Sequence, residues 1–130
     1  MKYIFPLIGL SILCFFSCQD DDNIDPCKQE FDLPIIQVVD QTNDSVDYSF
    51  LLSYCFNNGC PTFVGFEEET NGNTTTVTAQ GQILCTDSIC TTAIVCDSVN
   101  YVFSPPTTGV YELRFTAENG NFITETITHN

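Results

Sequence analysis

From Val46 to Phe56 the side chains alternate. Tyr48, Phe50, Leu52, Tyr54 and Phe56 fall on one face, Ser49, Leu51, Ser53 and Cys55 on the other. A period of two held over that length marks a β-strand with one face on a core, whereas a helix would scatter the same aromatics around its circumference. From Leu33 onward no stretch carries a helical period, and Thr, Val, Ile, Phe and Tyr dominate, residue types that suit a pleated, half-buried surface. The pattern predicts strands at Pro34–Val39, Val46–Phe56, Thr62–Thr70, Thr74–Ala79, Gln82–Cys85, Thr91–Cys96, Val99–Phe103, Val110–Glu118 and Asn121–Thr128. Many short strands separated by turn signals predict an all-β fold, a small antiparallel β-sandwich over residues 33–130.

Three Asn-Gly pairs punctuate these runs: Asn58-Gly59, Asn71-Gly72 and Asn119-Gly120. Such pairs suit two-residue hairpin loops, since both positions tolerate positive φ. The last pair then sets Glu118 opposite Asn121, Ala117 opposite Phe122 and Arg114 opposite Glu125. Phe122 would join Tyr111, Leu113, Phe115 and Ala117 on the core face. The second pair would set Phe66 opposite Val77 and Val64 opposite Ala79. Glu68 then shares the core face with Phe66, and the penalty for burying a carboxylate predicts fraying towards the turn.

The first 17 residues are of another kind. After Met1-Lys2, the run Ile4–Phe16 is almost wholly apolar over 13 residues, too short for the roughly 20 residues of a spanning helix and right for a signal-peptide core. It ends in Phe15-Phe16-Ser17-Cys18, which resembles the lipobox of bacterial lipoproteins. The resemblance implies cleavage after Ser17, so that 1–17 is a signal peptide, and palmitate-type acylation of Cys18. The acidic stretch that follows, Gln19, Asp20, Asp21 and Asp22, resembles the export signal of Bacteroidota-type surface lipoproteins. It implies display at the outer face of the outer membrane. Residues 18–32 read as the lipidated cysteine and a polar, flexible tether, whose 14 residues after Cys18 reach at most about 45 Å.

Cysteine arithmetic agrees with that reading. Of eight cysteines, Cys14 leaves with the leader and Cys18 takes the lipid. Cys27, Cys55, Cys60, Cys85, Cys90 and Cys96 remain, an even number suited to three disulfides in an exported chain. The short spacings favour Cys55–Cys60 and Cys85–Cys90, which leaves Cys27 for Cys96; six cysteines allow 15 pairings, so the alternatives stay open.

The tail from Tyr101 to Thr128, with Gly109-Val110-Tyr111-Glu112-Leu113 feeding the final hairpin, resembles the closing strands of Ig-like and PKD-like bacterial surface domains. The resemblance implies an Ig-like sandwich and carries no functional residues, since the tryptophan-bearing PKD signature is absent from a chain without Trp.

Charge narrows the partners. The formal net charge is −14; with Lys2 removed, Lys28 and Arg114 stand against 17 acids, which gives −15. Such a surface repels phosphate backbones, so no nucleic-acid partner is expected, and membrane attachment has to come from acyl chains. No catalytic constellation is recognisable. His129 is the one histidine and sits next to the chain end. Glu67-Glu68-Glu69 and Asp40, Asp44 and Asp47 could supply oxygen ligands to calcium, but no loop of D-x-D-x-D-G type orders them. No metal or cofactor is expected. Asp44-Ser45-Val46, Asp87-Ser88-Ile89 and Asp97-Ser98-Val99 resemble Bacteroidota O-glycosylation sites, which makes Ser45, Ser88 and Ser98 candidate acceptors; Asp-Ser pairs also commonly open turns. The expected function is a non-enzymatic binding or display module that contacts protein or glycan, with the aromatics between Phe56 and Phe66 as a contact or as core. A structural accessory subunit of an outer-membrane assembly is the alternative, and a small hydrolase the third reading.

Overall fold

The computed structural model describes residues 28–43, 46–84 and 89–130. The strands are β1 (Lys28–Leu33), β2 (Gln37–Asp40), β3 (Tyr48–Phe56), β4 (Thr62–Asn71), β5 (Thr74–Leu84), β6 (Val95–Phe103), β7 (Gly109–Thr116) and β8 (Phe122–His129). They form two sheets. The larger has five strands, with β5 paired to β4 on one side and to β1 and β7 on the other, and β8 outside β7; the smaller runs β2-β3-β6. The fold is the all-β sandwich that the alternation predicts. Every pairing is antiparallel except β5 with β7, which runs parallel.

The core lies between the sheets. Phe50, Leu52 and Tyr54 of β3 and Tyr101 of β6 face Val77 and Ala79 of β5 and Leu113 and Phe115 of β7, all of them buried. The chain changes sheet between β6 and β7, and there the Tyr111 hydroxyl donates to the Thr107 carbonyl at 2.8 Å. This bond is the tyrosine corner found at sheet-crossing arches of Greek-key sandwiches.

Three local expectations are corrected. Residues 28–32 fall in the stretch read as tether, yet with Leu33 they form strand β1 on β5. Phe31, Leu33 and Ile35 continue a two-residue period that the surrounding polar residues obscure. β5 is continuous through Gly81, and β6 through Asp97-Ser98, where the turn-forming residues had suggested breaks. Gly81 serves a close approach: a Cβ there would stand 2.8 Å from ring carbons of Phe31.

The hairpins close differently from the two-residue expectation. In the last one, Asn119 (φ 58°) and Gly120 (φ 73°) do take positive φ, but Glu118 joins them in a three-residue turn closed by Ala117 N–H donating to Asn121 O at 2.8 Å. Pairing therefore slips by one, to Arg114↔Thr124, Phe115↔Ile123 and Thr116↔Phe122. A one-residue slip exchanges the faces of a strand: Phe122 is 47% exposed and Ile127 is buried. Arg114 instead pairs with Glu112 on its own strand, at 2.5 Å.

In the second hairpin the loop is Gly72-Asn73, with Gly72 at φ 61°. A slip of two residues keeps the faces, so Phe66 lies opposite Ala79 and Glu68 opposite Val77. The ladder holds to Asn71↔Thr74 without the expected fraying. Asn58-Gly59 makes no hairpin at all, because β3 and β4 belong to different sheets. Gly59 lies in the corner that joins them, its N–H donating to Thr91 O at 3.1 Å.

Candidate functional site

Strand directions give the sandwich two distinct poles. At one, β1 begins opposite the end of β5 (Lys28↔Leu84), and β4 begins beside the same end (Thr62↔Gln82). The corner 57–61 and the Cys60–Cys90 bridge lie here. At the other pole are the end of β2 and the start of β3, the Gly72-Asn73 turn, the arch 104–108 and the end of β8.

The second pole carries an open polar depression of about 620 Å³ lined by Gln41, Asn43, Asp47 and Ser49. Its shape is set by short-range bonds. Thr42 N–H donates to Asp40 Oδ1 at 2.8 Å, Ser49 N–H donates to Thr42 Oγ1 at 3.2 Å, and Ser104 Oγ donates to Asp47 Oδ1 at 2.5 Å. The Tyr48 hydroxyl donates to Thr128 O at 3.1 Å and lies 3.4 Å from His129 Nδ1. His129 is thus the last residue of a paired strand. Two amides, a carboxylate and a hydroxyl on one shallow surface can exchange hydrogen bonds with polar groups of a ligand; they offer no apolar floor.

A smaller cleft of about 400 Å³ lies on the flank of the first pole, between Phe31 and Pro34 on one side and Phe56 and Pro61 on the other, with Asp32 and Glu118 also on its lining. The Phe31 and Phe56 rings meet edge to face at 6.4 Å. Gln80 Nε2 donates to Asp32 Oδ1 at 2.8 Å and orients that carboxylate. An apolar group next to a cation would satisfy both the floor and the acidic lining. This cleft went unread in the sequence because Phe31 had been assigned to the tether.

The aromatics from Phe56 to Phe66 are packing, not projections. Phe63 stacks on Tyr54 at 5.7 Å and meets Phe66 at 5.1 Å, which in turn meets Tyr101 at 5.2 Å. Glu68 sits at the end of this row and accepts a hydrogen bond from the Tyr101 hydroxyl. Glu68 itself stays exposed at the margin of the core, so its carboxylate sits on the same face of β4 as Phe66 without a burial penalty and with that bond to hold it. Burial raises the Tyr101 phenol well above its ordinary value, and the bond to Glu68 and its negative charge add to the shift. Burial, then the charge of Asp97, raises Tyr54 in the same direction. A phenol held neutral by the fold stabilises fully below its unfolded value of about 10, and that contribution is lost as pH rises beyond it. Urea unfolding of the native protein should therefore show stability falling above about pH 10, and Tyr101→Phe should flatten that fall. An unchanged alkaline slope in the variant would contradict the assignment.

Among the described residues no three His, Cys, Asp or Glu side chains converge to hold a metal ion. In the acidic triplet, Glu67 and Glu69 point to the outer face beside Thr76 and Thr78 while Glu68 turns inward. Asp47 is held by Ser104, and Asp44 lies outside the described residues.

Of the other candidates, Cys18, Gln19, Asp20, Asp21, Asp22, Cys27, Ser45, Cys85 and Ser88 also lie outside the described residues. Ser98 is exposed within β6, its Oγ 2.9 Å from Ser53 Oγ across the β3–β6 pair. The disulfide pairing inferred from short spacing is overturned: the bridges are Cys55–Cys96 and Cys60–Cys90. Cys55 and Cys96 face each other across β3 and β6 on the outer side of the sheet, their Cα atoms 4.0 Å apart. A residue five positions away along the chain could not compete with a partner already fixed by register.

Two packed sheets, one cystine within the smaller sheet and one between connecting segments, with loops gathered at the poles and no assembled catalytic group among the described residues, define a small disulfide-bonded β-sandwich module. Residues 50–129 match the model of the ORF11 β-sandwich domain, and the chain belongs to that family. No curated protein and no solved structure matches it.

Proposed function

We propose that this protein is a membrane-anchored lipoprotein whose sandwich acts as a non-enzymatic binding or display module at the outer-membrane surface. Cys18 carries the lipid, and Gln19 to Asp22 direct the protein outward. The observation that supports this most is where β1 enters the fold. Only residues 19–27 separate Cys18 from the first paired residue, Lys28. Nine residues span at most about 30 Å, so the pole at which β1 begins stays near the bilayer while the opposite pole is presented outward. The polar depression there, around Asn43 and Asp47, suits a glycan or the polar face of a protein. Ser45, Ser88 and Ser98 are the positions for added sugar.

A second reading, an accessory subunit in an outer-membrane assembly, draws on β6. Among the described residues this strand, nine residues long, has a partner on one side only, β3, and Val95 and Val102 are exposed along it. An unpaired strand edge invites a further strand, and sugar on Ser98 would obstruct it.

The deciding experiment is membrane fractionation of the native protein and of Cys18→Ala, with intact-mass analysis of the detergent extract. The native protein should partition with membranes and carry acyl mass on Cys18, and the variant should move to the soluble fraction. Retention of the variant on membranes, or an N-terminus other than Cys18, overturns the anchoring. The same mass reports any glycan.

A further inference from the structure

We propose that the flank cleft at the first pole is a binding site in its own right, one that takes an extended peptide of a partner protein through an apolar side chain followed directly by lysine or arginine. The proposal is independent of the lipid anchor and of the polar depression at the opposite pole.

The cleft encloses about 400 Å³, with Phe31 and Pro34 on one wall, Phe56 and Pro61 on the other, and Asp32 and Glu118 on its lining. That volume lies within the roughly 300–1,000 Å³ of ordinary ligand pockets. Its walls are set before a ligand arrives. The Phe31 ring lies against Gly81, where a Cβ would stand 2.8 Å from two of the ring carbons. Phe56 is buried and meets Phe31 edge to face. Cys55, the residue before it, is tied to Cys96 across the sheet. Each proline fixes its own φ. A site already in its bound shape loses less ordering entropy when it is filled.

Charge selects the occupant. Lys28 and Arg114 are the lysine and arginine of the described residues, and each is paired on its own strand, with Glu30 and with Glu112. His129 lies at the opposite pole, beside Tyr48. Asp32 and Glu118 therefore form no salt bridge with a described cation, and Gln80 orients Asp32 through a neutral amide. A cation on the ligand supplies the countercharge, and the acidic surface of the whole chain, at a formal net charge of −14, favours its approach.

Shape selects a chain over a compact ion. A second depression, of about 550 Å³, follows the turn 117–120 and shares Asp32, Pro34 and Glu118 with the first. The two make one groove, apolar at the Phe31–Phe56 end and acidic at its centre. A metal ion or a small amine would leave the aromatic end uncovered. An apolar side chain seated there is followed about 3.5 Å further along an extended backbone by the next residue, and a lysine or arginine at that position meets the carboxylates.

Amide chemical-shift titration of the isotope-labelled native chain in non-ionic detergent tests this, with acetyl-Phe-Arg-amide as the probe and acetyl-Phe-Gln-amide and acetyl-Ala-Arg-amide as comparisons. The Phe-Arg peptide should move the amides of Phe31, Asp32, Asn57, Asn58 and Glu118 saturably, with a Kd of about 1 mM or below. Gln41 and Ser49, at the opposite pole, should stay in place. Each comparison peptide should bind about tenfold more weakly or worse. Asp32→Asn combined with Glu118→Gln should weaken the Phe-Arg peptide by about tenfold. Both side chains are exposed, and asparagine still accepts from Gln80, so the fold is kept. Equal binding of a comparison peptide, unchanged affinity in the double variant, or shifts that do not saturate overturn the proposal. Concentration-dependent shifts of the same amides without peptide would give the cleft to a second copy of this chain and overturn it as well. The readout is the same whether or not Cys18 is acylated, so failure of the anchoring and failure of this site are told apart.

Discussion

Phe115→Ala is expected to lower the free energy of unfolding by about 3–5 kcal/mol. Phe115 is fully buried in β7 of the larger sheet, and its ring lies 5.7 Å from that of Phe50 and 5.6 Å from that of Tyr101, both in the smaller sheet. It fills the interface that makes two sheets one domain. Truncation removes the transfer contribution of the ring and leaves a void that neighbouring chains cannot readily occupy, because β7 is paired on both sides, by β5 and β8. Against a typical total of about 5–15 kcal/mol for a small domain, that is a large fraction. Urea denaturation at constant slope gives the difference, with Phe122→Ala as the control. Phe122 is 47% exposed, so its removal should change stability by no more than about 0.5–1 kcal/mol. Comparable losses for the two variants would contradict the observed β7–β8 register.

That control also marks the limit of what the sequence discloses. The alternation of Tyr111, Leu113 and Phe115 is intrinsic to one strand, so it identifies their shared face without knowledge of a partner. The face of β8 depends on how many residues the turn contains. Asn119-Gly120 signals left-handed backbone at both positions, and both adopt it, but the dipeptide does not say whether Glu118 belongs to the strand or to the turn. One residue decides between Phe122 and Ile127 for the core. At Asn71-Gly72 the same ambiguity shifts pairing by two residues, and the faces of Phe66 and Glu68 survive.

Long-range relations were less legible still. The sheet to which β3 and β4 each belong is a property of the whole packing, and nothing in Asn58-Gly59 reports it. Phe31 and Phe56 lie far apart in the chain and meet in the flank cleft only because β1 pairs with β5, which a stretch beginning Lys28-Gln29-Glu30 does little to announce. The stabilisation of Glu68 by Tyr101 likewise joins different sheets. The aromatic row Tyr54, Phe63, Phe66 and Tyr101 was visible as composition, and its role as packing became legible only with the strand order.

The cystines yield the second large effect, and their topology makes it distinctive. The Cys60–Cys90 bridge, with a separation of 30 residues, is nested inside Cys55–Cys96, with a separation of 41. By the chain-entropy relation, either bridge alone constrains the unfolded chain by about 4 kcal/mol. When both are present the second adds less, because the first has already brought its ends together. The path left to close runs only from Cys55 to Cys60 and from Cys90 to Cys96, which corresponds to about 3 kcal/mol. Cys55→Ser with Cys96→Ser, or Cys60→Ser with Cys90→Ser, should therefore each lower stability by about 2.5–3 kcal/mol. Removing all four cysteines should cost roughly 6–7 kcal/mol, about 1 kcal/mol more than the two separate losses together. Two independent short loops, Cys55–Cys60 and Cys85–Cys90, would behave otherwise, since neither encloses the other and their contributions would add. Urea midpoints of the native protein and the three variants measure this excess. Strict additivity, or an outer-pair variant as stable as the native chain, would show that the bridges do not share one nested loop.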